Sequence, residues 1–157
     1  MYTDGSASAA IRDGGAGILI ILTSGRSEKI SIPTGKHCTN YRAEVEAILQ
    51  ATIAIEDCRE DCPNVVILTD ALSVLQALGN SKIPALSKAL SSLSRNRKLC
   101  LQWIPAHCGV PGNETADRLA KLGATGEQPT NAITHEERST MIKTLMKPKT
   151  ANDDFHT

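Results

Sequence analysis

Four acidic residues stand where local structure alone does not account for a carboxylate. Asp4 follows a short strand-like stretch, and Glu44 falls in the first turn of a predicted helix. Asp70 ends an apolar run, and Asp117 lies one turn into another predicted helix. Taken singly, each has an ordinary explanation as a turn former, a helix cap, a dipole-compensating acid or a solvated helix residue. Taken together, they predict a Mg²⁺ or Mn²⁺ site, because clustered carboxylates repel unless a cation neutralises them and hard oxygen ligands suit these ions.

The cysteines predict reduced thiols rather than disulfides. Their number is odd and no secretory signal precedes them: Cys38, Cys58, Cys62, Cys100 and Cys108. The pair Cys58 and Cys62 could join a histidine in a zinc site, but its spacing is unusual for zinc and no second pair matches it. No apolar run reaches the roughly 20 residues that a membrane span needs. We therefore expect a soluble, monomeric intracellular protein of the nucleus or cytoplasm, with no membrane partner.

The composition favours one domain with balanced charge. The chain has 157 residues, 41% of them hydrophobic, which is enough for one core and leaves little room for a second. Lys and Arg together number 17, as do Asp and Glu, so any nucleic-acid binding must come from local charge placement. Stacking of single-stranded bases is not expected to dominate, since the aromatic residues are few: Tyr2, Tyr41, Trp103 and Phe155.

The amino-terminal part of the chain predicts three strands. A short strand ends at Asp4, and Gly5, Gly14 and Gly15 frame a loop after it. Residues 16–22 are apolar, and residues 28–32 alternate between polar and apolar. A turn signal separates these two runs, so together they predict an antiparallel hairpin.

Helices and strands alternate through the rest of the chain. The pattern predicts a helix over residues 40–57, a strand over 64–70, helices over 72–78 and 84–94, a strand over 99–104 and a helix over 114–122. The strand over 64–70 contains a continuous apolar run that is capped by Asp70, which is typical of a parallel strand covered on both faces. Gly123 is expected to stop the last helix.

This order of elements predicts a mixed sheet with helices on its faces. Ligands of such sheets bind beyond the carboxyl ends of the parallel strands. If the strands that end at Asp4 and Asp70 are neighbours, their carboxylates meet at that edge. Residues 125–157 are interpreted as a polar tail or linker, within which Thr134 to Met146 could form a short amphipathic helix.

Four motifs resemble, in order and spacing, those of type I ribonuclease H. They are Tyr2-Thr-Asp-Gly-Ser6, Thr39-Asn-Tyr-Arg-Ala-Glu44, Leu68-Thr-Asp70 and His107-x-Gly-x-x-Gly-Asn-Glu-x-Ala-Asp117. The stretch from Gln102 to Asn113 looks most like the ribonuclease H domain of non-LTR retrotransposon polyproteins. The resemblance covers residues 1–124 and implies an α/β fold with a mixed five-stranded sheet of order 3-2-1-4-5, strand 2 antiparallel, flanked by helices.

The resemblance implies an endonuclease that hydrolyses the RNA strand of an RNA–DNA hybrid with two Mg²⁺ ions, or with Mn²⁺. Carried over by motif, Asp4 would bridge both ions. Glu44 and Asp70 would complete the ion at the leaving 3′ oxygen, and Asp117 would hold the ion that activates water. Two such ions stabilise the attacking and leaving oxygens together, which is why the chemistry needs several acids and no covalent nucleophile.

The resemblance also implies roles for other polar residues. His107, between the last strand and the last helix, would assist proton movement or the release of product and metal. It could also be an ordinary surface histidine, and Arg42 could form a salt bridge on its helix. Contacts with phosphates and ribose 2′-hydroxyls are expected from Gly5, Ser6, Thr39, Asn40, Arg42 and Asn113. Glu114 is assigned to the first helical turn rather than to the metal site.

The sequence departs from the family in two places. Residues 79–94 contain only Lys82 and Lys88 as basic residues, so the basic extension of many cellular members is absent. We therefore expect weak, salt-sensitive binding unless the domain is tethered, for example to a reverse transcriptase domain in a parent polyprotein. Only three residues precede Asp4 where family members carry several apolar ones, so the first strand is expected to be shortened.

Two other functions remain open. A catalytically weak or inactive module that binds hybrids or proteins could retain the same fold, since fold alone does not establish chemistry. Another metal nuclease of the same broad fold, such as a transposase or junction resolvase, fits the sequence around Glu44 and His107 poorly. The presence of all four acids favours the hybrid nuclease.

Overall fold

The structure, a computed structural model, describes residues 1–8 and 12–129. Its elements are β1 (Tyr2–Ser8), β2 (Arg12–Ile21), β3 (Ser27–Gly35), α1 (Asn40–Glu56), β4 (Asn64–Thr69), α2 (Leu72–Gly79), α3 (Pro84–Ser94), β5 (Lys98–Trp103) and α4 (Pro111–Ala124). The short helix predicted from Thr134 to Met146 lies outside the described residues. Among the described helices, none has both the length and the apolar character that crossing a bilayer requires.

The five strands form one mixed sheet in the order β3-β2-β1-β4-β5. Strand β2 is antiparallel to β1 and β3, whereas β4 is parallel to β1 and β5. Helix α1 packs on one face together with α2 and α3, and α4 packs on β1, β2 and β3. The fold predicted from the sequence is confirmed.

Helix α1 is the centre of the core. It contributes Ile48 and Leu49 to an apolar cluster with α2, α3 and β4, and Ala51 and Ile53 to a second cluster with β2 and β3. The helix begins after Thr39, whose side chain accepts a hydrogen bond from the backbone N–H of Arg42 at 3.1 Å. This cap satisfies one of the free amides of the first turn and fixes where the helix starts.

The loop predicted at Gly14 and Gly15 is wrong, because both residues lie inside β2. Gly15 and Gly17 face α4 so closely that a Cβ on either would overlap a backbone carbonyl oxygen of that helix. Gly123 was predicted to end α4 and instead lies within it, where a Cβ would come 2.6 Å from the carbonyl oxygen of Ile32. These glycines allow a helix backbone to approach a sheet backbone, and they do not mark turns.

Two further predictions about the strands are wrong. Strand β1 does not end at Asp4 but continues to Ser8, although its pairing with β4 covers only Tyr2 and Thr3. Asp4 therefore lies just beyond the last paired residues of β4. Strand β4 is covered on one face only, because α4 packs over the other strands and leaves Val66 43% exposed.

The ends of α4 also differ from expectation. The helix begins at Pro111 rather than Glu114, which places Asn113 in its first turn. Beyond the helix, the chain stays packed against β3: the side-chain oxygen of Gln128 accepts from the N–H of Gly35 at 2.9 Å, and its nitrogen donates to the carbonyl of Gly123 at 3.1 Å.

Candidate active site

Three carboxyl groups meet at the edge of the sheet. Asp4 comes from β1, Glu44 from the first turns of α1, and Asp70 from the residue directly after β4. Each offers one oxygen, and these oxygens all lie within 4.8 Å of one another. The parallel pairing of β1 with β4 brings Asp4 and Asp70 together, and α1, which packs on the sheet, places Glu44 beside them. Within residues 1–8 and 12–129, this geometry is met by these acids and not by Cys58 or Cys62.

The amino end of α1 is held tightly against β1, and this places Glu44 beside Asp4. A Cβ on Gly5 would overlap the backbone of Ala43 and Glu44, so glycine is needed for the approach. The side-chain oxygen of Asn40 accepts a hydrogen bond from the N–H of Ala7 at 2.8 Å. Gly5 and Asn40, predicted as substrate contacts, thus have a clear structural role in this site.

A buried amide orients Asp70. The side-chain nitrogen of Asn113 donates to Oδ2 of Asp70 at 3.2 Å, although the two residues are 43 positions apart. Asn113 is only 5% exposed, and its own carbonyl oxygen is buried without a partner. The sequence motif indicated Asn113 as a substrate contact and carried no signal for its bond to Asp70.

Asp117 lies next to this group but faces a lysine. Its Oδ2 is 2.8 Å from Nζ of Lys121, one turn further along α4. Partial burial alone would raise the pKa of Asp117, but hydrogen bonds with Lys121 and Asp4 outweigh it and the pKa is lowered. Lys121 was not predicted as a site residue, although its position four residues after Asp117 is the spacing of a helical ion pair.

Burial and mutual repulsion keep protons on two of the carboxyl groups. Burial, a hydrogen bond with Asp4 and the negative charges of Asp4 and Asp70 raise the pKa of Glu44 to about 10. Burial also raises the pKa of Asp4 to about 7, with the charges of Asp70 and Asp117 adding to the effect and a hydrogen bond with Glu44 opposing it. At neutral pH no positively charged group compensates these acids fully, so protons that remain bound to them reduce the repulsion.

The donor set fits a divalent cation. Oε2 of Glu44 is buried without a hydrogen-bond partner, which is costly unless another ligand satisfies it. The neighbouring oxygens of Asp4 and Asp70 lie close enough to share a cation with it. Carboxylate oxygens in this number are the ligands that Mg²⁺ and Mn²⁺ prefer, and a cation would replace the retained protons.

The remaining predicted residues lie around the acids on the surface. His107 is exposed in the loop between β5 and α4, has a positive φ of 56°, and interacts electrostatically with Asp117. Arg42 is exposed on α1. Ser6 lines an open cleft of about 730 Å³ whose wall includes Lys36 and Lys121.

Fold and site together define an α/β domain with a carboxylate cluster at the point where the parallel pairing of β1 and β4 ends. A family model described as RNase H matches residues 1–125. The match covers most of the chain, so the chain belongs to the RNase H family, whose members typically use a divalent metal. The resemblance to ribonuclease H is confirmed, whereas the resemblance to retrotransposon domains stays a prediction.

Proposed function

We propose that this protein is an endonuclease that hydrolyses the RNA strand of RNA–DNA hybrids. The observation that carries the proposal is the meeting of Asp4, Glu44 and Asp70 within 4.8 Å in a chain of the RNase H family. A structural role explains such a cluster poorly, because bringing three carboxyl groups together costs free energy, either through charge repulsion or through forced retention of protons.

Asp4, Glu44, Asp70 and Asp117 would hold two divalent cations, Mg²⁺ or Mn²⁺. When bound, such ions lower the pKa of water and neutralise charge on the leaving oxygen. The acids would give up their retained protons to make room for the cations, and Asn113, which donates to Oδ2 of Asp70, orients that carboxylate. Lys121 pairs with Oδ2 of Asp117 and would compete with an ion for that oxygen.

The loop after β5 places a proton carrier beside the site. His107 is exposed and close enough to Asp117 to interact with it electrostatically. An imidazole in this position would accept a proton when water enters or donate one when the product leaves. We propose this role for His107.

The cleft next to the acids would hold the hybrid. Lys36 and Lys121 line it and would contact phosphate oxygens, although Asp13 and Glu127 line the same cleft and balance the charge of the two lysines. The exposed Arg42, with Thr39 at the helix start, would contact the same backbone. Ribose 2′-hydroxyls in the minor groove would distinguish the RNA strand from DNA.

The parent context is a further part of the proposal. The stretch from Gln102 to Asn113 supports a retroelement origin, in which a reverse transcriptase domain precedes the nuclease and both act in the nucleus or cytoplasm. We propose residues 1–124 as the nuclease domain and residues 125–157 as a tail or linker.

A cleavage assay tests the function directly. The protein is incubated with Mg²⁺ and a labelled RNA–DNA hybrid, RNA duplex or DNA duplex, in parallel with the Asp70→Asn variant. We expect cleavage of the hybrid alone, by the wild-type protein alone, because the variant lacks one of the clustered carboxylates. Binding of the hybrid without cleavage would indicate a non-catalytic module instead.

Binding of the hybrid is expected to weaken steeply with salt. The chain has no net charge, so attraction would come from a few basic side chains such as Lys36 and Lys121 in the cleft, and each neutralised phosphate contributes about 0.9 to the magnitude of the slope of log K against log salt. A titration of the Asp70→Asn variant from about 50 to 200 mM salt measures this slope without turnover. Tight binding that does not respond to salt contradicts the prediction.

A further inference from the structure

Two cysteine side chains meet in the α1–β4 turn, residues 57–63. Cys58 lies two residues after the end of α1, and Cys62 lies two residues before the start of β4. Their thiols are close enough to share a hydrogen bond, and both side chains pack against the apolar cluster that α1 forms with β2 and β3. Both are free cysteines. The turn therefore holds a pair of adjacent thiols.

Contacts with the β2–β3 hairpin hold this turn in shape. The hydroxyl of Ser24 donates to the carboxylate of Glu60 at 3.1 Å, and Nε of Arg26 lies 3.6 Å from the same carboxylate. Within the turn, the thiol of Cys62 donates to the carbonyl of Glu60 at 3.4 Å, and the N–H of Cys58 bonds back to the last turn of α1. The contact between the thiols is thus a property of the folded chain.

The surroundings of the pair disfavour two thiolates. Partial burial raises the pKa of Cys62, and the neighbouring thiol of Cys58 adds to the effect, whereas Arg97 opposes it. Two thiolates in contact would repel each other beside an apolar cluster. A disulfide removes both titratable groups and leaves an apolar link in their place. Oxidation therefore relieves a repulsion that deprotonation of the pair would create.

A metal site explains the pair less well than a disulfide does. Structural zinc takes four ligands, mostly from Cys and His. Within residues 1–8 and 12–129, no group of three such ligand atoms lying within 4.8 Å of one another includes either cysteine. A disulfide needs only the two sulfurs. Both side chains are partly exposed, and Cys62 lines a cleft of about 200 Å³, so a small oxidant can reach the pair.

We propose that Cys58 and Cys62 form a reversible disulfide site that exchanges with small disulfides such as glutathione disulfide. One cysteine thiolate attacks a sulfur of the small disulfide, breaks its S–S bond and releases one small thiolate. The other cysteine thiolate then attacks the sulfur of the first cysteine, forms the Cys58–Cys62 bond and releases the second small thiolate. Both cysteine sulfurs are oxidised and both small sulfurs are reduced, and the two cysteine protons pass to the released thiolates.

The bond would tie the end of α1 to the start of β4. Glu44 lies at the opposite end of α1, and Asp70 follows the opposite end of β4. The disulfide site is therefore remote from the carboxylates. Because the thiols already meet in the folded chain, we expect the bond to stabilise the fold and to leave the carboxylate group in place.

The test equilibrates the protein with glutathione redox buffers, both folded and unfolded in urea. Alkylation counts how many of the five cysteines stay reduced. Trypsin cuts after Arg59, inside the turn, so a Cys58–Cys62 bond holds peptides 43–59 and 60–82 together until it is reduced. We expect the equilibrium constant for this bond to be about tenfold or more higher in the folded protein, because folding holds the thiols together.

The same tenfold ratio predicts a change in stability. By the thermodynamic cycle, it makes the oxidised protein more stable than the reduced one by about 1.4 kcal/mol. For a chain of this size, that raises the melting temperature by about 3 °C or more. Melting curves of the two forms, taken without reductant and with it, measure the difference.

Serine variants identify the bond. Cys58→Ser and Cys62→Ser should each abolish the linked peptides, whereas Cys100→Ser, which changes an exposed cysteine on β5, should leave them unchanged. Equal equilibrium constants in the folded and unfolded wild-type chain, or a bond between other cysteines in the folded protein, would overturn the proposal. All readouts are made without hybrid or metal, so the result does not depend on nuclease activity.

Discussion

Replacing Asp4 with asparagine is expected to abolish hybrid cleavage and, in the absence of metal, to make the protein more stable at pH 8. The side chain keeps its shape but loses the charge that would bind the cations. Since a cation at such a site stabilises the transition state by several kcal/mol, and about 1.4 kcal/mol corresponds to a tenfold rate, we expect cleavage to fall by about a thousandfold or more. Rates on hybrid with Mg²⁺ measure this directly.

The gain in stability follows from the raised pKa of Asp4. Folding raises this pKa from 3.8 to about 7, so between about pH 4 and pH 7 the folded state holds a proton that the unfolded state has already lost. The stability that this proton supplies is complete below about pH 4 and disappears as the pH rises towards 7 and beyond. Asparagine does not titrate, so the variant should exceed the wild type by about 4 kcal/mol at pH 8 and by little at pH 4.

Urea unfolding in the presence of a chelator, at pH 4 and pH 8, measures this difference. Mg²⁺ should then raise the free energy of unfolding of the wild type, by about 2.7 kcal/mol when its concentration is one hundred times its dissociation constant. It should raise that of the variant less. Glu114→Gln is the matched control, because Glu114 is an exposed acid three residues from Asp117 and is not part of the carboxylate group. Equal loss of cleavage in both variants would show that general charge, rather than the cluster, is responsible.

The order of strands and helices could be predicted because each element has a local signature. The apolar run before Asp70 and the helical spacing after Asn40 report burial, which sets secondary structure directly. The approach of the acids also follows from local information, because β1 and β4 are parallel neighbours and both acids come at the end of their pairing. Glu44 and Asp117 were assigned to the site from the order of the family motifs, because their positions in predicted helices alone are also compatible with ordinary helix acids.

Contacts between distant segments could not be predicted in this way. Gly15 and Gly123 were predicted to lie in a loop and at a helix end, because nothing near them in the sequence shows that the backbone of α4 or of β3 lies against them. The bond from Asn113 to Asp70 depends on how α4 is seated, and the exposed face at Val66 depends on how much of the sheet α4 covers. These features arise from tertiary packing, which overrides local propensity.

Gly17→Ala is expected to destabilise the fold and to disturb the site from a distance. A Cβ at this position would overlap the carbonyl oxygen of Ala116 and lie 2.8 Å from Cβ of Leu119, so α4 must move away from β2. Ala116 precedes Asp117, and the displaced helix therefore carries that acid away from Asp4. We expect a loss of about 3 kcal/mol in the free energy of unfolding, at the upper end of what overpacking costs.

Gly79→Ala is the matched control for this variant, since Gly79 lies at the end of α2 with open space around its Cβ position. Alanine there should be neutral or slightly stabilising, because it restricts the unfolded chain without a clash. Unfolding midpoints in urea compare the two variants, and cleavage rates are then taken where each is fully folded. A slower rate for Gly17→Ala under those conditions indicates that the packing of α4 on β2 positions Asp117. Equal unfolding midpoints for the two variants would contradict the prediction. They would mean that α4 can shift without a loss of stability and that the glycines of β2 do not hold it in place.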